Sequence, residues 1–538
     1  MKRPLLLLLL LALALPARAQ TGIVATRHNL SASGPGDLTA AGEKRVCIFC
    51  HTPHHSSDVM PLWSRDLSSA SYIPYDSSTL QAQPGQPTGP SRLCLSCHDG
   101  TIALGMLRGG YMIDPLGPIP AGRLSNLETD LSDDHPISFV YDSTLAASAE
   151  VKDPSDLAGT ALKLRDGRLE CTTCHDPHKD TYGKFLVMDN TGSALCETCH
   201  EPAGWTGSVH QGQAVACEAC HQNHRAGMAE RLLRGATEEA TCLNDCHNGA
   251  GPGADIAAEL ARTSVHPVDM ATGTHAPTEN LLGALPHVEC VDCHNAHRSG
   301  SGGGTAAPAI GASQAGVRGI DLLGIEVAPA VNAYEVCFRC HADNPHLALP
   351  AVPRVIAEVN ERLRFDPANP SLHPVTALGV NPDVPSLRPE YSETSRIYCH
   401  DCHNSSAAPM VGGTGANGPH GSDNEHLLAA GYITGSYPVG YVEGNYALCF
   451  RCHDPGVLFS GTGGPFGNSH KSHVQMKGVP CSVCHDPHGV PLAGGATAAG
   501  NAHLINFDTR FVDPLTASYD AVTRSCTVSC HSMNPRSY

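Results

Sequence analysis

Aromatic side chains make up only 5% of this 538-residue chain, which holds 2 Trp, 10 Phe and 14 Tyr. Charged residues reach only 16%, while 54 Gly and 41 Pro interrupt the backbone. A chain so poor in large rings lacks the means to build a conventional core over this length. Something besides side chains is expected to fill the interior. Basic charge is short as well: 34 Lys and Arg stand against 52 Asp and Glu, a net charge of −18. That balance gives no general attraction for nucleic acid or anionic membrane. No stretch after the first segment is apolar enough for a membrane span.

The first segment, residues 1–19, reads as an export signal. Lys2 and Arg3 precede "PLLLLLLLALAL", and "PARA" then precedes Gln20, which places the cut after Ala19. The apolar run is too short to cross a bilayer. No Cys near the cut offers a lipid anchor. The mature chain is therefore expected to be exported, periplasmic or extracellular. It is also more acidic, because Lys2, Arg3 and Arg18 leave with the signal.

Cysteine is what the chain has in plenty. All 24 fall into twelve motifs, numbered here in chain order. Ten read C-x-x-C-H: Cys47/Cys50/His51, Cys94/Cys97/His98, Cys171/Cys174/His175, Cys196/Cys199/His200, Cys217/Cys220/His221, Cys290/Cys293/His294, Cys337/Cys340/His341, Cys399/Cys402/His403, Cys449/Cys452/His453 and Cys481/Cys484/His485. Two, the sixth and twelfth, carry one extra residue: Cys242/Cys246/His247 and Cys526/Cys530/His531. No thiol is left over for a disulfide framework. Zinc ribbons pair two Cys motifs and do not need His after each second Cys. Two thiols at this spacing match the two vinyl groups of a haem, and the next residue offers a proximal imidazole. Twelve covalent haem c groups are expected, and they would supply the missing core. In the two stretched motifs the extra residue leaves a metal or disulfide site open. The expected fold is a multihaem cytochrome c: mostly coil with short α-helices around the haems, and little β.

Of 32 His, twenty remain after the proximal ones, enough to give every iron a second imidazole. Such six-coordinate sites move electrons and do little bond chemistry. The 10 Met have no repeated context and read as packing. Four contexts single out distal candidates. In C-x-x-C-H-x-x-H, His54, His178, His224, His297 and His488 stand three residues past a proximal His. A haem fixed to that turn blocks the route to its own opposite face, so each is expected to reach a neighbouring haem. His135, His266 and His373 precede Pro, which favours presentation from an extended backbone. His210 and His473 lie some seven residues before a motif, and His28 and His420 complete the set. For each, a surface or hydrogen-bonding role is the alternative. His287, His426, His470 and His503 are held in reserve.

A duplication marks the second half. His266-Pro-Val, "CVDCHN" and "YEVCFRCH" are followed by His373-Pro-Val, "CHDCHN" and "YALCFRCH". The second copy has Ser406 where the first has His297, and His420 or His426 is expected to replace it. The expected lobes are 20–150 (haems 1–2), 151–260 (haems 3–6), 261–370 (haems 7–8) and 371–538 (haems 9–12).

"CTTCHDPHKDTYGKFLVMDNTGSALCETCH" resembles the doubled-CXXCH unit of multihaem c-type cytochromes. "CIFCHTPHHSS", "SRLCLSCHDGTIALG" and "CSVCHDPHGV…NAHLINF" are similar to segments of secreted cytochromes from metal-respiring bacteria. The resemblance implies electron transfer in the periplasm or outside the cell, with His135 and His178 as distal ligands. It implies redox partners, namely upstream quinol-linked or periplasmic cytochromes and outer-surface cytochromes, and in some members self-assembly into filaments. The leading expectation is thus an electron carrier toward an external acceptor. A multihaem oxidoreductase of a nitrogen or sulfur oxyanion is the alternative, though no motif ends in the Lys that one familiar type uses. A filament protomer is a third.

Overall fold

The computed structural model describes residues 22–537 except 55, 57–61, 269–279, 281, 283–286, 301–305, 436, 461–468 and 529–535. The export segment, Cys530 and His531 lie outside the described residues.

The motifs set the size of the helices. Cys171–Cys174, Cys290–Cys293 and Cys481–Cys484 are single helical turns. Cys47–Phe49, Cys217–Ala219 and Cys399–Asp401 are tighter 3₁₀ turns. One turn is all the motif needs, since at 3.6 residues per turn it brings both thiols to one side. A helix this short has no stability of its own, so local caps hold it. The Glu170 N–H donates to Thr173 Oγ1 at 3.1 Å, and the Glu289 N–H to Asp292 Oδ2 at 2.8 Å. The chain then leaves the helix at the histidine, which is extended: φ −122° and ψ 136° at His175, φ −130° and ψ 137° at His294. Its N–H still donates to the first Cys carbonyl, at 3.0 Å in both cases.

The stretched motif at Cys242 keeps that relation by widening the turn. The His247 N–H reaches back five residues to the Cys242 carbonyl at 3.2 Å, a π-type bond that absorbs the extra residue. The other stretched motif starts differently: Cys526 sits in the strand Ser525–Val528, paired with Ser518–Asp520.

Among the described residues five second cysteines, Cys50, Cys220, Cys246, Cys402 and Cys452, lie just past the helical turn that holds the first. Cys246 lies beyond the helix Glu238–Leu243, which holds Cys242 and ends before the longer motif is complete. Its place is set instead by a loop, the Cys246 carbonyl accepting the Gly253 N–H at 3.0 Å. Cys220 follows the turn Cys217–Ala219 as its cap. The Cys220 N–H donates to the Cys217 carbonyl at 3.1 Å, and its own carbonyl accepts the Arg234 N–H at 2.9 Å. A 3₁₀ turn closes over three residues, so the fourth falls outside it.

Mostly coil with short helices is the architecture throughout. Among the described residues the longest helices are Gly89–His98 and Ala333–His341, at 10 and 9 residues. Strands are brief, and three antiparallel pairs adjoin the His-Pro sites. Phe139–Val140 pairs with Arg168–Leu169, Ser264–Val265 with Gly421–Ser422, and Ser371–Leu372 with Gly489–Val490.

The chain divides into two compact units: Met1–Ala203 with Ala214–Arg234, and Gly204–Gln213 with Gly235–Tyr538. Among the described residues neither has one continuous core. The first holds small clusters around Phe139, Tyr141, Leu157 and Leu169, and around Tyr72, Leu95 and Leu131. The second holds four, the largest having seven buried residues. Motif cysteines, such as Cys199, Cys399 and Cys449, border these clusters. Buried polar groups satisfy the irregular backbone that no ladder serves. Arg65, fully buried, donates to the carbonyls of Leu104 and Ala103 at 2.7 and 2.9 Å. Glu259 accepts from Ser405 Oγ at 2.5 Å and Arg262 Nε at 2.6 Å.

The duplication is visible in the second unit. Arg339 of the first "CFRCH" pairs with Asp292 of "CVDCH", Nη2 to Oδ1 2.8 Å. Arg451 of the second "CFRCH" donates to the Asp401 carbonyl of "CHDCH".

Candidate metal centres

Two imidazoles bound to opposite faces of one iron have ring centroids about 6 Å apart, given a metal–nitrogen bond of about 2 Å on each side. Among the described residues nine proximal histidines face a second imidazole at 5.9 to 6.4 Å. A rule relates motif number to the opposing residue. In the even motifs the opposing His comes from upstream: His28 faces His98 at 6.1 Å, His135 faces His200 at 6.1 Å, His210 faces His247 at 6.4 Å and His266 faces His341 at 6.4 Å. In odd motifs 1, 3, 7 and 9 it comes from beside the motif two places further on, whereas in motif 11 it comes from upstream. His178 faces His51 at 6.1 Å, His224 faces His175 at 6.3 Å, His420 faces His294 at 6.0 Å and His488 faces His403 at 5.9 Å.

The remaining candidates sit as follows. His373 lies beside His453 and, after burial, is the next cause holding that imidazole down to about 4. His470, at 6.2 Å, is opposite His485, where the spacing had singled out His473. A wide turn over Lys471–Met476 separates the two, and His473 Nδ1 bonds the Ser469 carbonyl at 2.8 Å. His297 meets the ring of Trp205 edge-on at 6.0 Å. His54 is exposed, its carbonyl accepting from Thr52 Oγ1 at 2.6 Å. Ser406 hydrogen-bonds Asp423 Oδ2 at 3.1 Å.

Hydrogen bonds fix which ring nitrogen is free. Nδ1 donates to a backbone carbonyl at His28 (Pro177, 3.0 Å), His98 (Ser125, 2.7 Å), His210 (Ala296, 2.7 Å), His247 (Ala254, 3.1 Å) and His294 (Ser313, 2.9 Å). That bond selects the tautomer whose Nε2 lone pair is available to a metal. His420 departs from the pattern, with a buried Nδ1 that has no hydrogen-bond partner. Burial also keeps these rings neutral, as a ligand must be. It is the first cause that lowers His266, His403 and His420 to about 4 and His485 to about 3.

Four proximal histidines obtain their carbonyl from a device that motif reading missed. His175, His221, His403 and His485 donate to the carbonyls of Lys184, Arg231, His426 and His503 at 2.8 to 2.9 Å. Each acceptor and its successor have positive φ: 52° and 60° at Lys184-Phe185, 54° and 64° at His503-Leu504. The next residue, Leu186, Leu233, Leu428 or Ile505, bridges back to the proximal His. The signal was present in sequence as "KFL", "RLL", "HLL" and "HLI". His426 and His503 thus contribute their backbones here.

None of the described motif cysteines is in a disulfide, and thiols meet across successive motifs. First cysteines stand beside one another at Cys94–Cys171, Cys196–Cys217, Cys242–Cys290, Cys337–Cys399 and Cys449–Cys481. The alternate junctions bring second cysteines together. Burial and then Cys97 push Cys50 up to about 12; burial and then Cys199 do the same to Cys174, and burial and then Cys452 to Cys402. Cys293 stands beside Cys337 and Cys340. Cys220 and Cys246 belong to different units, and each thiol is half-buried.

Thiol pairs set by one turn or its cap, a neutral proximal imidazole with Nε2 available, and a second imidazole at the distance of a shared iron all suit covalent haem c. The chain has the attachment sites of multihaem c-type cytochromes, to which it is similar. Residues 164–204 match the family model described as the doubled CXXCH motif. Over 189 residues, 32% of the chain, it is 30% identical to the multiheme cytochrome MtrA of Shewanella baltica (strain OS185). The aligned stretch spans 43% of that protein's length. Among the described residues no helix is long and apolar enough to cross a membrane.

Proposed function

We propose that the chain carries twelve haem c groups, most with two histidine ligands, and conducts electrons along them, within each unit in the order of the motifs. It would do so in the periplasm or outside the cell, receiving electrons from other cytochromes and delivering them to an external acceptor. The observation that carries this reading is the alternation of thiol contacts. Within the first unit, contacts link motifs 1 to 2, 2 to 3, 3 to 4 and 4 to 5; within the second they run from motif 6 to motif 11. Sulfurs bonded to the edges of successive porphyrins bring those edges close, so no junction inside a unit is skipped.

Bound haem supplies one-electron Fe(III)/Fe(II) exchange. The residues of the chain do the rest. The Cys pairs, Cys217 with Cys220 and Cys242 with Cys246 among them, fix each attachment, and the proximal His closes one face. His28, His135, His178, His210, His224, His266, His373, His420, His470 and His488 close the other. A haem so held would have no position left for a substrate, which favours a conductor over an oxyanion reductase. The test is mass spectrometry and electron paramagnetic resonance of the mature, oxidised protein. Twelve haem masses and low-spin iron throughout are expected. A stoichiometric high-spin iron would overturn the conductor reading.

A further inference from the structure

Three distal imidazoles have a carboxylate at Nδ1: His178 meets Asp176 Oδ1 at 3.4 Å, a group 36% exposed and screened by water, and two meet a more buried one, where the others with an assigned acceptor mostly have a backbone carbonyl. His224 Nδ1 donates to Asp134 Oδ1 at 2.9 Å, and His488 Nδ1 lies 3.1 Å from Glu361 Oε2. The two carboxylates are differently compensated. Glu361 also holds Arg364 Nη1 at 2.7 Å, a cation that offsets its charge. Among the described residues Asp134 has no such cation at its oxygens. Its Oδ1 takes the imidazole N–H and the Arg225 backbone N–H at 3.3 Å, while Oδ2 is buried with no hydrogen-bond partner. The Arg225 guanidinium turns elsewhere, to the Arg123 carbonyl at 3.1 Å and toward Glu128 at 3.9 Å. The Asp134 side chain is only 4% exposed, so water does little to screen it.

We propose that Asp134 is a potential-setting residue: through His224 it makes the haem held by Cys171, Cys174 and His175 the most reducing in the first unit. An anionic acceptor draws the Nδ1 proton and raises the electron donation of the ring. A more basic axial ligand stabilises Fe(III) over Fe(II), which lowers the potential. A carbonyl acceptor, such as the Lys184 oxygen at His175, does this only weakly. Asp134 is also joined directly to His135, whose ring faces His200 of the next motif. One residue therefore sits between the ligands of two consecutive sites while biasing one of them. The third motif becomes an uphill step between its neighbours, which keeps electrons from resting there.

The inference rests on ligation by His224, and the experiment separates the two. In full-length holoprotein, His224→Ala reports ligation alone: one low-spin signal is lost if His224 is a ligand, and an unchanged spectrum would sink that premise. Asp134→Asn keeps an oxygen at the same place and removes the charge. Equilibrium redox titration followed by optical and paramagnetic resonance spectra is expected to show one single-haem component moving to more positive potential, still low-spin, with the rest in place. A titration curve superimposable on wild type overturns the proposal. If the Asn variant does not accumulate, the wild-type protein carries the test. Poised at the lowest potentials, the haems oxidised first must include one with the reduced g-anisotropy of a strongly hydrogen-bonded imidazole, and its absence there overturns the proposal too.

Discussion

Replacing Glu170 by Ala tests whether polar clamps, rather than apolar cores, hold the attachment sites of the first unit in register. Glu170 is 1% exposed and precedes the third motif. Its carboxylate accepts from Ser138 Oγ at 2.9 Å, from Thr88 Oγ1 at 3.0 Å and from Ser91 Oγ. Ser91 in turn accepts the Cys171 N–H at 3.1 Å, so the helix of motif 2 and the turn of motif 3 share one acceptor. Hydrogen bonds to a charged group contribute about 1.5–3 kcal/mol each. Three lost together would come to roughly 4–9 kcal/mol, less what the freed hydroxyls recover by turning to other acceptors. A loss of about 3–5 kcal/mol is the expectation, in line with broken buried networks. For a unit of this size each kcal/mol moves Tm by about 2–4 °C, so roughly 6–20 °C is expected. The assay is differential scanning calorimetry of the holoprotein, with Glu170→Gln beside it as the milder change, because an amide oxygen still serves part of the network. A Tm for the Ala variant within about 2 °C of wild type would refute the clamp.

Three further outcomes follow from the ligand pairing. His178→Ala should open the iron of motif 1, held by His51, and leave that of motif 3 low-spin; haem-specific assignment of the new high-spin signal decides it. His470→Ala should produce one high-spin iron while His473→Ala should not, and the reverse result would restore His473 as the ligand. The imidazole planes also differ in a way that resonance spectra read, since perpendicular rings give highly anisotropic low-spin signals and parallel rings give rhombic ones. His210–His247 at 87° and His135–His200 at 78° should fall in the first class, His51–His178 at 14° and His294–His420 at 18° in the second. Loss of an anisotropic component in a His135→Ala variant would check the assignment.

The chemistry was legible in sequence because haem attachment is local. Two thiols and an imidazole must lie within one turn, so spacing alone points to Cys171, Cys174 and His175 as a unit. Where the spacing is longer, as at Cys246, the motif stays legible but the helix that should carry it does not reach the second thiol. Composition gave the fold class for a related reason, since so few aromatics cannot fill a core at this length and the clusters found are correspondingly small. The pairing of imidazoles was not legible, because His178 meets His51 through tertiary structure that no local pattern encodes. The reserve His470 and the candidate His473 differ by less than a turn of helix, and only the wide turn at Lys471–Met476 distinguishes them. Carbonyl acceptors escaped notice for another reason. A side chain announces its chemistry, whereas Lys184 and Arg231 act through backbone oxygens aimed by two successive residues at positive φ.

The odd-numbered sites have a consequence for assembly. His51 precedes motif 3 by more than a hundred residues, yet its opposing imidazole, His178, is three residues past that motif's proximal His. His175 likewise waits for His224 beside motif 5, and His403 for His488 beside motif 11. Such a site would close only when a later motif has been placed, whereas the even sites, and motif 11 through His470, would close with residues already at hand. Once closed, each such pair spans the motif between its partners, so that motif cannot swing away without opening a site on either side. Conduction needs fixed separations over a chain whose helices are one or two turns long and whose strands are shorter still. Cross-ligation of the kind proposed would supply that rigidity without a continuous apolar core, and would explain how 54 glycines and 41 prolines are compatible with a conductor. The loops can be irregular because the metal sites, with the buried carboxylate and guanidinium clamps between them, fix the positions that matter.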